Sequence, residues 1–204
     1  MRGRSYNLEN ECTRVALTED IDISSFSCGD NELDEFFRNE SRDYEREMLA
    51  RSYAFITDDA RSQPVAVFSV SNSSISMTAL SSTVRNRMQR KIPNVKRKKS
   101  YPALLIGRLG VDVRYHGKGI GSQVLDYIKY WFTHPRYESI CRYLVVDAVN
   151  EKDVLRFYER NGFKTLYATE DEELSALGKD GEELRSRVMF CDLKQWRLSR
   201  VDGK

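Results

Sequence analysis

Arg108-Leu109-Gly110-Val111-Asp112-Val113-Arg114-Tyr115-His116-Gly117-Lys118-Gly119-Ile120-Gly121-Ser122 is the stretch on which the fold turns. A β-rich run from Ala103 to Val113, broken by Gly107 and Gly110, feeds into a cluster of glycines. A helical pattern starts at once, from about Ile120 to Phe132, with Val124, Leu125, Ile128, Trp131 and Phe132 as its apolar positions. In a strand–glycine–helix turn, successive backbone N–H groups point at one spot and the helix dipole adds partial positive charge, which suits a phosphate. Glycine lets the backbone approach that anion where a Cβ would obstruct it. Two phosphate-binding patterns fail on spacing. A P-loop needs Gly-x-x-x-x-Gly-Lys-Ser/Thr, but Lys118 is followed by Gly119 and Asp112 stands where the first glycine belongs. The dinucleotide pattern Gly-x-Gly-x-x-Gly is not spelled by Gly117-Lys118-Gly119-Ile120-Gly121-Ser122 either.

Downstream, Tyr143 to Val149 reads as a buried apolar strand. Asn150 and Asp153 open a helix that Gly162 closes, in the place a left-handed glycine belongs. Upstream, Ser52–Thr57 and Pro64–Val70 read as strands joined by a hairpin connection over Asp58–Gln63. Residues 11–17 are strand-like, and a helical pattern from Asn31 puts Leu33, Phe37, Tyr44 and Met48 on one face, with Asn31 and Asp34 as its start by analogy with a capping box. Phe163–Ala168 and Arg187–Leu193 read as closing strands. Strands interleaved with helices predict an α/β (α+β) domain, and the early hairpin predicts a mixed rather than a purely parallel sheet.

The chain's 204 residues, 40% of them apolar, fit a single domain over 1–204 that buries about 70% of its extended surface. Two inserts interrupt it: a basic one at about 83–99, with Arg85, Arg87, Arg90, Lys91, Lys96, Arg97, Lys98 and Lys99 around Pro93, and an acidic one at about 170–183. The first reads as a short helix followed by a loop. With 33 basic and 31 acidic residues, the net charge of +2 excludes a uniformly cationic nucleic-acid coat. No run approaches the roughly eighteen apolar residues of a membrane span, and Met1–Tyr6 lacks the apolar core of a secretory signal, so a cytoplasmic protein is expected. Cys12, Cys28, Cys141 and Cys191 are scattered and only His116 and His134 accompany them, which predicts reduced thiols and no metal.

Arg114-Tyr115-His116-Gly117-Lys118-Gly119 fits Arg/Gln-x-x-Gly-x-Gly/Ala, and in this it resembles the acyl-CoA pyrophosphate signature of the GNAT N-acetyltransferase superfamily. Asn150-Glu151-Lys152-Asp153-Val154-Leu155-Arg156-Phe157-Tyr158-Glu159-Arg160-Asn161-Gly162-Phe163 is similar to that superfamily's second motif, in the right order. Together the two cover roughly residues 104–168. The resemblance implies a GNAT-like, mostly antiparallel central sheet with a splayed strand pair, flanked by helices. It also implies direct transfer of acetyl from acetyl-CoA to a primary amine, in a ternary complex without a covalent enzyme intermediate. On that reading the backbone of Leu109, Gly110 and Val111 holds the pantetheine arm and the thioester carbonyl, and one N–H stabilises the oxyanion. Arg114, Tyr115, His116, Gly117, Lys118, Gly119, Ile120, Gly121 and Ser122 cradle the pyrophosphate, with Lys118 or Arg114 adding charge. Asn150 reaches the pantetheine and Phe157 packs beside it. Tyr158 is the general acid for the departing thiolate, since a phenol donates a proton and stays neutral near pH 7; its alternative is the inward face of a helix with Val154 and Phe157. The glutamate that some members carry before the glycine turn is absent from Leu104–Val111, which leaves Asp112 and Asp147 as candidate bases by proximity only.

Phe26-Ser27-Cys28-Gly29-Asp30-Asn31-Glu32-Leu33-Asp34-Glu35-Phe36-Phe37 looks like the approach to the first helix in acetyltransferase toxins of bacterial toxin–antitoxin pairs. Those enzymes acetylate the α-amine of aminoacyl-tRNA. The basic cluster fits an RNA partner, whose phosphates supply most sequence-independent affinity, or it is a solvated loop. Three functions stay open: acetylation of aminoacyl-tRNA, acetylation of protein or small-molecule amines, and a non-catalytic acyl-CoA-binding sensor. A homodimer is compatible with the resemblance, and no membrane partner is expected.

Overall fold

The computed structural model describes residues 6–78, 80–90, 92, 98–137 and 140–201. Its strands are β1 (Cys12–Ala16), β2 (Arg51–Thr57), β3 (Pro64–Ser76), β4 (Ser100–Val111), β5 (Tyr143–Val149), β6 (Lys164–Thr165) and β7 (Ser186–Asp192). Its α-helices are α1 (Leu8–Glu11), α2 (Asn31–Glu35), α3 (Ser41–Arg46), α4 (Ser82–Gln89), α5 (Ile120–Thr133), α6 (Lys152–Arg160), α7 (Glu170–Leu177) and α8 (Leu193–Val201). The strands form one sheet in the order β1-β2-β3-β4-β5-β7-β6. The β1–β2, β2–β3, β5–β7 and β6–β7 pairs are antiparallel. The mixed, mostly antiparallel class expected from the sequence is the class observed.

The chain divides into two compact units, one of Met1–Ser71 with Ile106–Ile128, the other of Asn72–Leu105 with Lys129–Lys204. In the first, Leu17, Ile23, Phe26, Phe36, Phe37, Ala54 and Val67 form a core, with Leu33 and Tyr44 packed against it. The helical stripe was expected to begin at Asn31 and to include Met48. α2 does begin at Asn31, with Asp30 rather than Asn31 as its cap, accepting the Leu33 N–H at 3.1 Å. After α2 the backbone widens into a π-helical turn, Phe36–Glu40, before α3 resumes. A π turn inserts a residue and advances the phase of everything after it. Met48 then falls beyond the end of α3, in left-handed backbone (φ 58°) and 92% exposed.

In the second unit β5 and β7 pair over seven residues, from Tyr143 opposite Asp192 to Val149 opposite Ser186. Their inward residues join Ile75, Met77, Val84, Met88 and Tyr101 in a second core. Phe163–Ala168 was expected to be a strand. Only Lys164–Thr165 pairs, while Phe163, Leu166 and Tyr167 are buried as irregular chain on either side. The closing strand stops at Asp192, whose carboxylate accepts the Lys194 and Gln195 N–H groups and so starts α8. That helix has no counterpart in the sequence reading.

The acidic insert is half structure. Thr169 caps α7 by accepting the Glu172 N–H at 3.1 Å, and Gly178 closes it in left-handed backbone. Glu173 turns inward, fully buried, and accepts from Arg187 Nε and from the Val188 N–H, both at 2.6 Å. One glutamate of the acidic run therefore docks the helix on β7. A buried ion pair is costly to break from one side, because the surviving charge is left without a partner. Glu173→Gln is expected to lower stability by about 3–5 kcal/mol, read as a drop in urea midpoint. A Glu173→Leu, Arg187→Met double variant is expected to recover most of it.

Candidate functional site

The glycine turn belongs to the first unit. β4 ends at Val111, and Asp112 caps a single 3-10 turn, Val113–Tyr115. Asp112 is 1% exposed. Its carboxylate accepts the Ser27 N–H (3.2 Å), the Arg114 N–H (3.0 Å), Arg114 Nε (2.6 Å) and Arg114 Nη2 (2.8 Å). Arg114 Nη1 continues to Gln63 Oε1 at 2.9 Å, and the Val113 N–H reaches the Ser27 carbonyl at 2.8 Å. Burial alone would raise the Asp112 pKa, but the bonds from Arg114 and the backbone prevail and hold it below the ordinary carboxylate value. Asp112 is thus a clamp under the turn, already ion-paired, and a poor base. The Arg114 side chain is committed to that clamp.

The remaining turn residues fold onto their own backbone. His116 Nε2 donates to the Val111 carbonyl at 2.7 Å, and Lys118 Nζ donates to the Arg114 carbonyl at 2.8 Å while lying over the Tyr115 ring. Gly117 and Gly119 are left-handed, at φ 73° and 75°, with no heavy atom within 4 Å of where a Cβ would stand. The first bond of α5 runs from the Gln123 N–H to the Gly119 carbonyl at 3.2 Å. The N–H groups of Ile120, Gly121 and Ser122 therefore have no intrahelical acceptor, and they sit at the positive end of a 14-residue helix. That is the arrangement an anion needs. Just before it, Leu109 and Val111 are half-buried while Gly110 is buried. A Cβ on Gly110 would come within 3.1 Å of Phe26 and 3.3 Å of Cys28, so a side chain there would have to push those two neighbours aside by a few tenths of an ångström.

Asn150, Phe157 and Tyr158 belong to the second unit. Asn150 follows β5, and its side-chain amide donates to the Leu184 carbonyl at 2.9 Å, which ties it to the chain ahead of β7. The helix cap is Glu151 rather than Asn150. Phe157 and Tyr158 are half-buried on α6, and their rings meet edge to face at 5.1 Å. Phe163 meets the Tyr158 ring from another side at 5.4 Å. Gly162 closes the helix at φ 83°, where the sequence puts it. Lys129, 1% exposed, donates to the Asn161 carbonyl at 2.7 Å and fixes that corner. Among the described residues the Tyr158 hydroxyl has no hydrogen-bond partner, and burial pushes its pKa up to about 12. Asp147, on β5, is also raised by burial.

Arg85, Arg87 and Arg90 of the basic cluster lie on or just after α4, where Arg87 donates to the Thr165 carbonyl at 3.5 Å. Lys98 lies 6.0 Å from the Tyr101 ring, while Lys91, Pro93, Lys96 and Arg97 fall outside the described residues. Among the described residues no helix is long and apolar enough to cross a membrane, and no three His, Cys, Asp or Glu side chains gather as metal ligands. Sequence reasoning missed the partners of the turn, Ser27 and Gln63, which no local pattern connects to Asp112.

Residues 89–165 match the family model of the acetyltransferase (GNAT) domain. Along nearly its whole length the chain is also similar to solved structures. AtaT complexed with acetyl-methionyl-tRNAfMet is 23% identical, with a TM-score of 0.68 over 93% of this chain and 99% of that one. A tyrosine-to-phenylalanine mutant of KacT is 21% identical, with a TM-score of 0.68 over 93% and 99%. AtaTR bound with AcCoA is 20% identical, with a TM-score of 0.63 over 93% and 98%. These likenesses show that the fold is that of the GNAT proteins.

Because the folded Asp112 pKa lies below its unfolded value, its contribution is present above about pH 4 and is lost as pH falls through the lowered folded value. Asp112→Asn is expected to cost about 1–3 kcal/mol at pH 7 and to flatten the loss of stability below pH 4. Chemical denaturation across that range measures both.

Proposed function

We propose that this GNAT-domain protein is an N-acetyltransferase that moves acetyl from acetyl-CoA directly to a primary amine, with the α-amine of an aminoacyl-tRNA as the acceptor. The family match and the fold support acetyl-CoA-dependent acetylation. The acceptor rests on the toxin-like segment Phe26–Phe37 and on the likeness to AtaT, whose complex holds acetyl-methionyl-tRNAfMet. In this reading the free N–H groups of Ile120, Gly121 and Ser122, with Gly117 and Gly119, take the pyrophosphate of CoA. The backbone at Leu109, Gly110 and Val111 holds the pantetheine arm and the thioester carbonyl, with one N–H positioned for the oxyanion. Arg114 contributes through the shape of the turn, since its guanidinium is held by Asp112. Asn150 and Phe157 border the pantetheine and the acid.

The amine nitrogen attacks the thioester carbonyl carbon, and the C–S bond breaks as the tetrahedral intermediate collapses. Tyr158 donates its phenolic proton to the departing CoA sulfur, and the proton lost by the attacking nitrogen restores the phenol. The observation that carries this role is a half-buried hydroxyl that, among the described residues, has no hydrogen-bond partner and is held in its protonated form by burial. Asp112 supplies no base, and the ammonium form of an α-amine of modest basicity gives its first proton to water before the free amine attacks.

Transfer of labelled acetyl to charged tRNA, and to a pool of amines and peptides, tests the reading. Label on charged tRNA is the expected result; label on amines or peptides alone would overturn the acceptor, and bound acetyl-CoA without transfer anywhere would overturn catalysis. Tyr158→Phe is expected to lower kcat by about 10²–10⁴ with little change in acetyl-CoA affinity. In the native enzyme kcat should not fall as pH rises through 10, where an ordinary tyrosine titrates, because the Tyr158 proton is held up to about 12.

A further inference from the structure

Arg108 lies on β4 two residues before Gly110, and the alternation of a strand puts both on one face. On that face its guanidinium carbon stands 3.5 Å above the centroid of the Phe36 ring and 5.6 Å from that of Tyr44. Tyr44 in turn meets Phe36 edge to face at 5.1 Å, so the platform under the guanidinium is built from the first residue of the π turn and from α3 beyond it. A stacked guanidinium keeps its N–H edges and its outer face for another group. Other half-buried arginines spend those edges on the protein: Arg38 on the Phe26 carbonyl, Arg42 on the Ile21 carbonyl and Arg142 on Asp192. Arg108 is half-buried as well and, among the described residues, makes no hydrogen bond or ion pair. A cation held this close over an aromatic ring, with its donors unspent among the described residues, is built to receive a ligand that offers an anion and a planar face.

We propose that Arg108, backed by Phe36 and Tyr44, is a specificity-determining residue that takes the 3′-terminal nucleotide of an aminoacylated RNA, its N–H edges on the phosphodiester and its outer face against the base. This deepens the acceptor reading above and rests on it. Single-stranded RNA ends are recognised by this combination, with bases stacked on guanidinium planes and phosphates on the N–H edges. The α-amine of a peptide lacks a fixed anion nearby, whereas an aminoacyl ester carries the terminal phosphodiester one ribose away. Tyr158 and the glycine turn serve any acetyl-CoA-dependent transfer, whereas Arg108 separates a nucleotide-borne amine from a bare one.

The test uses one aminoacyl group on three carriers: adenosine, which has no phosphate; the CCA trinucleotide; and whole tRNA. Arg108→Gln is expected to lower kcat/KM on the trinucleotide and on tRNA about ten- to a hundredfold more than on adenosine, mostly through KM for the acceptor. Arg108→Lys, which keeps the charge and loses the plane, should fall between, and it carries the comparison if a thermal melt shows that Arg108→Gln does not fold. Equal losses on all three carriers would make Arg108 a packing residue over Phe36, and no loss on any would remove it from the acceptor site; either result overturns the proposal. Native enzyme that acetylates amines or peptides but none of the three esters would show that the acceptor reading itself had failed.

Discussion

A single buried carboxylate organises the first unit. Asp112 accepts four hydrogen bonds, two from the Arg114 side chain and two from backbone N–H groups, one of them at Ser27, far away in sequence. Its own N–H reaches the Val65 carbonyl at 2.9 Å, and Arg114 extends the network to Gln63. The end of β4, the N-terminal segment and the β2–β3 hairpin are therefore tied at one point. The glycine turn starts from that point, so the direction of its free N–H groups is inherited from the clamp. A charge buried this deeply is tolerated because every bond to it is charge-assisted.

The same device recurs in the second unit. Glu173 holds α7 to β7 through Arg187 and the Val188 N–H, and Lys129 holds the corner after α6 through the Asn161 carbonyl. In both cases a buried polar side chain bonds to backbone atoms of a neighbouring segment. At the α6 corner the Tyr158 ring meets Phe157 and Phe163 edge to face, and among the described residues its hydroxyl has no hydrogen-bond partner, so packing orients it.

Legibility in the sequence followed the range of the forces involved. The glycine turn, β5, α5 and the Gly162 stop were readable because periodicity, β-propensity and left-handed glycine are local properties. Tyr158 was singled out only through its resemblance to a motif. The phase slip after Phe36 was not readable, since a π turn changes register without changing composition, and Met48 was misplaced as a result. Charge runs were the least legible. Glu173 is chemically identical to its exposed neighbours in the acidic run, and only its distant partner Arg187 sets it apart. Arg114 matched the pyrophosphate pattern by type and spacing, yet its side chain serves Asp112. Arg108 matched no pattern, because its place over Phe36 and Tyr44 joins residues distant in sequence.

The glycines of the turn carry one more implication. Around Gly117 and Gly119 there is room for a side chain, so nothing steric excludes one. What excludes it is the sign of φ, which costs an L-residue roughly 1–2 kcal/mol. The requirement at these two positions is one of chirality and not of volume. Glycine meets it by being achiral, and the backbone it adopts there is the default of a D-amino acid. Two such residues, one on either side of Lys118, give the turn its path.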